Sequence, residues 1–599
     1  MTRPLTDNME IFAGLIVLIA CCCSLLISNG NEIGGCSQTN NFFQYTNYRT
    51  SYHFQPSRNW INDPNGPMYY KGFYHLFYQY NPLGAVFGDI MIWGHSASYD
   101  LINWFHLNHA LCPSEPYDIN SCWSGSTTIL PGSKPFILYT GIDANGRQVQ
   151  NLAMPKNLSD PLLKEWVKFS GNPVMTPPNG VKKDDFRDPT TAWQGSDGEW
   201  RVIVGSRSNN QGMAILYRSK DFMHWTKFQN PLYSSERTGM WECPDFYPVS
   251  INGTNGVDTS VLNPSVKHVM KASFNSHDYY MLGTYNPQME KFFPLTDFEG
   301  TSSDLRYDYG KFYASKTFFD NVKNRRILWG WVNESDSRQD DIEKGWSGVQ
   351  SIPRQIWLDI NGKQLLQWPV EEIETLRGKQ ASIDDKKLES GSVFEVSGIT
   401  ASQVDVEVVF ELPELEEADE FINPGLVDPQ LLCNDKNALI PSRLGPFGLL
   451  ALATEELTEQ TAIFFQIFRG HNRFVVLMCS DQSRSSLRKD VDKTTYGAFV
   501  DIDPRQEKIS LRSLIDHSMI ESFGGGGRTC ITSRVYPQLA TDKAARLYVF
   551  NNGTLGVVIS SLNAWSINKA RIGEEESFKI PLHQWNNDEI ETSLSFYIQ

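Results

Sequence analysis

Trp60-Ile61-Asn62-Asp63-Pro64-Asn65-Gly66-Pro67-Met68-Tyr69-Tyr70-Lys71-Gly72-Phe73-Tyr74-His75-Leu76-Phe77-Tyr78 reads as a stiff Asp-Pro-Asn-Gly turn followed by two short aromatic strands about a Lys-Gly turn. The same grammar returns four more times before about residue 368. A second unit runs from Trp123-Ser124-Gly125-Ser126 to Phe136-Ile137-Leu138-Tyr139, and a third from Asp188-Pro189 to Trp200-Arg201-Val202-Ile203-Val204-Gly205. A fourth passes from Glu242 and Asp245 to Tyr279-Tyr280-Met281-Leu282-Gly283-Thr284-Tyr285, and a fifth from Asp308-Tyr309-Gly310 to Ile327-Leu328-Trp329-Gly330-Trp331. Five hairpin-rich all-β units predict a five-bladed β-propeller, in which the first strand of every blade faces one axis. Acids at the starts of different units then converge on one funnel. The alternative is an ordinary β-sandwich with those acids on surface turns.

Beyond Trp368 the pattern changes. Residues 369–390 read as an acidic, helix-like linker, and residues 391–599 as an antiparallel β-sandwich. The alternating runs Val404–Phe410, Ala462–Phe468 and Ala545–Phe550 carry that expectation. Gly524 to Gly527 lacks the Lys-Ser/Thr of a phosphate loop and reads as a tight turn. The propeller is assigned to residues 48–368.

The apolar run Ile11 to Ile27 predicts a secretory signal over residues 1–28, with a propeptide to about 47; an uncleaved signal anchor is the rival reading. No later run is apolar enough to span a membrane, so no stable membrane association is expected after signal removal. Sequons at Asn157, Asn252, Asn333 and Asn552 agree with passage through the secretory pathway to apoplast, cell wall or vacuole. Of ten cysteines, Cys21, Cys22 and Cys23 fall in the signal, leaving an odd number that cannot all pair. Cys433 and Cys479, both in strand-like surroundings, are the expected disulfide; Cys243 is expected buried and free. A formal net charge of −16 excludes a nucleic-acid partner on average electrostatics, and a monomer is expected.

Three acids sit in stiff Pro-flanked settings: Asp63, Asp188 in Phe186-Arg187-Asp188-Pro189, and Glu242 in Trp241-Glu242-Cys243-Pro244-Asp245. Two carboxyls about 5–5.5 Å apart, one ionised and one protonated, are what retaining glycoside hydrolysis needs. Asp63 suits the nucleophile, with Asn62 and Asn65 amides placed to keep its pKa low. Glu242, between Trp241, Cys243 and Pro244, suits the neutral acid. Asp188 beside Arg187 reads as an ion-paired carboxylate that accepts two sugar hydroxyls. Trp60, Trp123 and Phe87 are candidate sugar platforms, and Gln79 and Ser124 candidate hydroxyl partners. No metal or cofactor is required.

These motifs closely resemble plant members of glycoside hydrolase family 32, the acid invertases and fructan exohydrolases. The resemblance runs from about Tyr48 to the C-terminal strands, including His517-Ser518-Met519-Ile520-Glu521-Ser522-Phe523 and Thr529-Cys530-Ile531-Thr532-Ser533-Arg534. It implies a propeller plus sandwich and cleavage at a terminal β-fructofuranosyl unit with retention. Asp63 matches the nucleophile, Asp188 the transition-state stabiliser and Glu242 the acid/base. Pro244, where vacuolar invertases usually carry Val, places the chain on the cell-wall-type branch. Two departures bear on substrate. After Gly283-Thr284-Tyr285, sucrose-cleaving relatives usually have Asp with Lys three residues on; here Asn286 and Met289 stand there. Phe87 in Val86-Phe87-Gly88-Asp89 replaces the usual Trp, as in inulin-degrading exohydrolases.

The expected activity is therefore exo-hydrolysis of a fructan or fructo-oligosaccharide substrate, of the β-(2,1) inulin type, with little sucrose cleavage. The alternatives are a cell-wall acid invertase, a β-(2,6)-fructan exohydrolase, a fructosyltransferase, a non-catalytic fructan or sucrose binder, and an arabinan- or xylan-cleaving propeller enzyme.

Overall fold

The structure, a computed structural model, describes residues 48–301, 303–421 and 427–575 of the 599-residue chain. The expected signal and propeptide lie outside the described residues. Five antiparallel sheets follow one another along the first two thirds of the chain. Their long strands begin at Asn59–Tyr70, Ser121–Leu130, Trp200–Ser208, Glu242–Ser250 and Tyr313–Asp320. In the third sheet the short Phe186–Arg187 strand pairs with Trp200–Ser208 and supplies the innermost position.

Blades of a propeller pack face to face, so their strands are buried on both sides and lose the alternation of a one-sided sheet. Phe73–Asn81 shows this, with every residue after Phe73 buried. Apolar clusters tie each blade to the next around a ring. Phe77 and Trp93 of the first pack with Ile137 and Tyr139 of the second. Leu138 and Leu152 meet Val202 and Val204 of the third, and Trp193 and Ile203 meet Phe246 and Met270 of the fourth. Tyr247 and Val269 meet Leu328 and Ile356 of the fifth. The ring closes where Phe318 and Trp329 pack on Leu76, Tyr78 and Trp104. Parallel pairing of Trp346–Ser347 with Asn59–Trp60 fastens the last blade to the first. This is the five-bladed propeller read from the sequence.

The second part is a β-sandwich of a six-stranded and a seven-stranded sheet. In one, Gln403–Glu411 lies between Val557–Ile567 and Ile509–Asp516; in the other, Leu444–Ala453 lies between Arg546–Asn551 and Thr461–Arg469. Val404, Val406 and Val408 face Leu449, Ile463 and Phe465 across the core. The expected linker 369–390 differs: after a 3₁₀ turn at Glu371–Leu376, the chain is already an edge strand, Arg377–Leu388, paired with Val557–Ile567. The Gly524–Gly527 run is the turn between strands Met519–Gly524 and Thr529–Arg534. Gly527 is required there, because its φ is 89° and a Cβ would stand 2.0 Å from the Gln367 carbonyl of the propeller.

Buried charges bridge the two parts. The Arg354 guanidinium pairs with Asp308 (2.9 Å) and Glu521 (2.5 Å), and His53 lies between Glu521 (3.0 Å) and Asp516 (2.9 Å). Each charge has its partner, which offsets a desolvation cost of several kcal/mol per ion.

Cys433 and Cys479 form a disulfide. Cys479 is on strand Phe474–Asp481 as expected, but Cys433 is on a short helix, Pro429–Asp435, which the bridge pins to the sheet. Cys243 is buried and free. Because the bridge closes a loop 46 residues apart, the double variant C433S/C479S should lose about 2–4 kcal/mol of stability in thermal denaturation. Its kcat at low temperature should stay at the parent value, since the bridge is remote from the propeller axis.

Asn157, Asn252 and Asn333 are exposed; Asn552 is half-buried, with its Nδ2 donating to the Ala438 carbonyl at 3.1 Å. Among the described residues no helix is long and apolar enough to cross a membrane.

Candidate active site

A β-bulge between Ile61 and Pro64 lifts Asp63 out of the hydrogen-bond ladder of the first blade's inner strand. The expected Asp-Pro-Asn-Gly turn is instead part of this bulged strand; Gly66 follows at φ 43°, where a Cβ would lie 2.4 Å from Thr127 Oγ1, so the strand seats directly on the second blade. Asp63 Oδ2 accepts from Ser124 Oγ at 2.5 Å and Cys243 Sγ at 3.3 Å, and Oδ1 accepts from Asn62 Nδ2 at 2.9 Å. Asn62 is itself fixed. Trp60 Nε1 donates to its Oδ1 (2.8 Å), and Gln350 Nε2 to its carbonyl (2.6 Å).

Asp188 has a left-handed backbone, φ 64°, uncommon outside glycine and held here by its N–H donating to Thr140 Oγ1 at 2.8 Å. Its Oδ2 accepts the Cys243 N–H at 2.8 Å. Glu242 opens the inner strand of the fourth blade, just before a bulge. Its Oε1 accepts from Arg187 Nη2 and its Oε2 from the Tyr313 hydroxyl, each at 2.6 Å.

The three acids line one cavity of about 360 Å³, within the size range of small-molecule sites. Trp60, Asn62, Gln79, Phe87, Trp123, Ser124 and Arg187 line it too. Asn286 does not. Its Oδ1 is spent on the N–H groups of Gln288 (3.0 Å) and Met289 (2.9 Å), capping the turn after its strand.

The electrostatics correct three expectations. Asp63 does not have a lowered pKa. Burial raises it, only partly opposed by hydrogen bonds from Ser124 and Asn62, and the Glu242 charge raises it further. Asn65 takes no part, since both polar atoms of its side chain are buried without a partner. Glu242 is not in an apolar setting: the Trp241 indole turns away to Thr238 Oγ1 (2.9 Å), and a guanidinium and a phenol hold the carboxylate instead. Arg187 is not chiefly the partner of Asp188, which its Nε meets only at 3.9 Å, but of Glu242.

Asp188 is pushed up to about 6, by burial first and by the nearby Asp63 charge, against the pull of Arg187. The Cys243 thiol is pushed far up by burial and by the charges of Asp188 and Asp63, so it keeps its proton and donates. Tyr313 is raised by burial and by Glu242, and stays a neutral donor.

Sequence reasoning missed Tyr313, Ala314 and Trp331, all from the fifth blade. Tyr313 holds the position equivalent to Asp63 and Glu242, at the start of an inner strand, but is not an acid. Trp331 closes the aromatic wall, its ring 5.5 Å from Trp60, which in turn meets Phe87 edge-on at 6.2 Å.

Elsewhere Glu334, Asp336 and Asp341 have oxygens close enough for a metal. Lys344 Nζ already sits among them at 3.1, 2.6 and 2.8 Å, so the cation there is an ammonium.

Two family models match the chain: glycosyl hydrolases family 32 N-terminal domain over residues 53–369, and glycosyl hydrolases family 32 C terminal over residues 372–566. An insoluble isoenzyme of beta-fructofuranosidase from Arabidopsis thaliana is 59% identical over 535 residues, 88% of this chain and 97% of that protein. A fructan 6-exohydrolase from Beta vulgaris is 55% identical over 531 residues, 88% of each chain. Among solved structures, a variant of fructan 1-exohydrolase IIa from Cichorium intybus in complex with 1-kestose is 60% identical. It superposes with a TM-score of 0.87 over 88% of this chain and 99% of the other.

Proposed function

The chain belongs to glycoside hydrolase family 32 and is a β-fructofuranosidase or fructan exohydrolase, and we propose that it is the second of these, releasing terminal fructose from β-(2,1)-linked fructans. In this reading Asp63 attacks the anomeric carbon of the terminal fructose while Glu242 protonates the departing oxygen. Water, deprotonated by Glu242, then displaces Asp63 and frees the sugar. Ser124, Asn62 and Cys243 hold the Asp63 carboxylate in its attacking position. Asp188, set at the floor by its left-handed backbone, accepts two hydroxyls of the same ring. Arg187 and Tyr313 aim Glu242.

The observation that carries the choice of substrate is the mouth of the pocket. Phe87 stands there half-exposed, at 52%, and offers a ring face where an indole would offer a donor. The turn after Gly283-Thr284-Tyr285 offers no charge at positions 286 and 289: Asn286 is tied into its turn and Met289 is an exposed thioether. A single glucose unit is thus poorly gripped, and a chain of fructose units meets an open, weakly polar wall. The 1-exohydrolase that binds 1-kestose, at 60% identity, supports the β-(2,1) linkage.

Fructose release from inulin, levan and sucrose, assayed side by side at mildly acidic pH, tests this. One absent charged hydrogen bond, about 1.5–3 kcal/mol, should put sucrose roughly 10- to 100-fold below inulin in kcat/KM. A preference for sucrose makes the enzyme an invertase like its insoluble relatives, and a preference for levan makes it a 6-exohydrolase. The same reading places the protein in the secretory pathway, bound for cell wall or vacuole, with N-glycans at Asn157, Asn252, Asn333 and Asn552.

A further inference from the structure

Four consecutive residues at the start of the fourth blade's inner strand are each held by a neighbour. Glu242 takes the Tyr313 hydroxyl. The Cys243 carbonyl accepts from Lys271 Nζ at 3.0 Å, and the Pro244 carbonyl from Lys316 Nζ at 3.1 Å. Asp245 Oδ2 accepts the N–H and hydroxyl of Thr317 at 2.9 and 2.8 Å. Bulges in both strands, between Glu242 and Asp245 and between Tyr313 and Lys316, bring the two segments together.

The two lysines differ. Lys271 is fully buried and fully partnered, with Asp278 at 3.2 Å, the Ser315 carbonyl at 2.8 Å and Ser273 Oγ at 2.7 Å besides Cys243. That is a structural ion pair. Lys316 is 2% exposed, accepts no such company, and among the described residues no carboxylate comes within ion-pair distance of it. A buried ammonium with one neutral acceptor is costly and needs a compensating field. The pocket supplies one: Asp63, Asp188 and Glu242 outnumber the single guanidinium, Arg187, which Glu242 already engages.

We propose that Lys316 is a positioning residue for hydrolysis, the counter-charge behind the pocket floor that also ties down the Pro244 carbonyl, one residue beyond the Cys243 whose N–H meets Asp188. The proposal rests on the catalytic reading above, in which Asp188 must be ionised to accept sugar hydroxyls. The charged and titratable groups packed around this region are Asp63 from the first blade, and Arg187 and Asp188 from the third. Glu242, Cys243, Asp245, Lys271 and Asp278 come from the fourth, and Tyr313 and Arg326 from the fifth. Of the acids, Asp188 feels Lys316, whose charge pulls its pKa down from where burial puts it. Without that charge the pKa rises further above about 6, so the ionised form, present above the pKa, is lost earlier on acidification.

The test is the pH profile of kcat/KM for fructose release from 1-kestose by Lys316→Gln and Lys316→Met. Gln keeps a donor for the Pro244 carbonyl and removes only the charge. Both variants should move the acidic limb upward by about half a pH unit or more, with Lys316→Gln recovering near-parent activity on the alkaline side of its shifted limb. An unmoved limb in Lys316→Gln overturns the proposal, whatever happens to kcat. Failure of both variants to fold overturns it too, because the lysine then serves the fold alone. Asp188→Asn separates this from the underlying reading: if its residual activity keeps the parent's acidic limb, the limb does not belong to Asp188 and the role given to that acid fails.

Discussion

Asp63→Asn should lower kcat by about four orders of magnitude or more while leaving the fold and substrate binding intact. The amide has the shape of the carboxyl: with its oxygen toward Ser124 and Cys243, both keep their acceptor, and only the Asn62 Nδ2 loses one. What it lacks is a nucleophilic oxygen. In a retaining mechanism no other group replaces it: Asp188 is turned aside by its own backbone and bound by the Cys243 N–H, and Glu242 is clasped by Arg187 and Tyr313. Thermal denaturation at the parent midpoint, together with unchanged binding of a fructo-oligosaccharide, shows that the loss is chemical. Activity within tenfold of the parent rules Asp63 out as the nucleophile.

Glu242→Gln should cost about 10²- to 10⁴-fold in kcat on a fructan, in line with the loss of a general acid. The size of that loss should depend on the leaving group. A fructoside whose aglycone departs without a proton needs no acid in the first step, so the variant should form the fructosyl-enzyme at close to the parent rate and then stall, because the attacking water has no base. A burst of aglycone equal to the enzyme concentration, followed by a slow steady state, is the expected trace. Equal losses on good and poor leaving groups would remove Glu242 from the acid/base role.

Much of this architecture was legible in the chain because propeller blades repeat a local pattern. An aromatic strand, a two-residue turn and another strand recur with an acid or small residue at the head, and each can be seen in a dozen residues. Asp63, Asp188 and Glu242 are legible the same way, as acids in Pro-flanked settings, although Asp63 and Glu242 stand at bulges within strands rather than in turns. What escaped was whatever depends on neighbours distant in sequence. Arg187 adjoins Asp188 in the chain but reaches Glu242, 55 residues away, because the bulge at Glu242 turns that side chain toward the third blade. The pKa of Asp63 follows from enclosure by three blades, which its flanking asparagines do not reveal. Tyr313 and Trp331 carry no acid and so gave no signal, although both stand on strands that the repeat located. Asn286 followed the family pattern into the site, but its turn uses the side chain locally. Arg377–Leu388 reads as a polar linker because an edge strand with one solvated face carries charges along its length.

The central claim is that Asp63 forms a covalent bond to fructose in a pocket it shares with Glu242. Acid-quenching Glu242→Gln during turnover of an activated fructoside, then peptide mass mapping, tests it most directly. The account predicts a single anhydro-hexose adduct on the peptide containing Asp63, absent when Asp63 is also replaced by Asn. An adduct on another carboxyl, or none while fructose is released with inverted anomeric configuration, would contradict it.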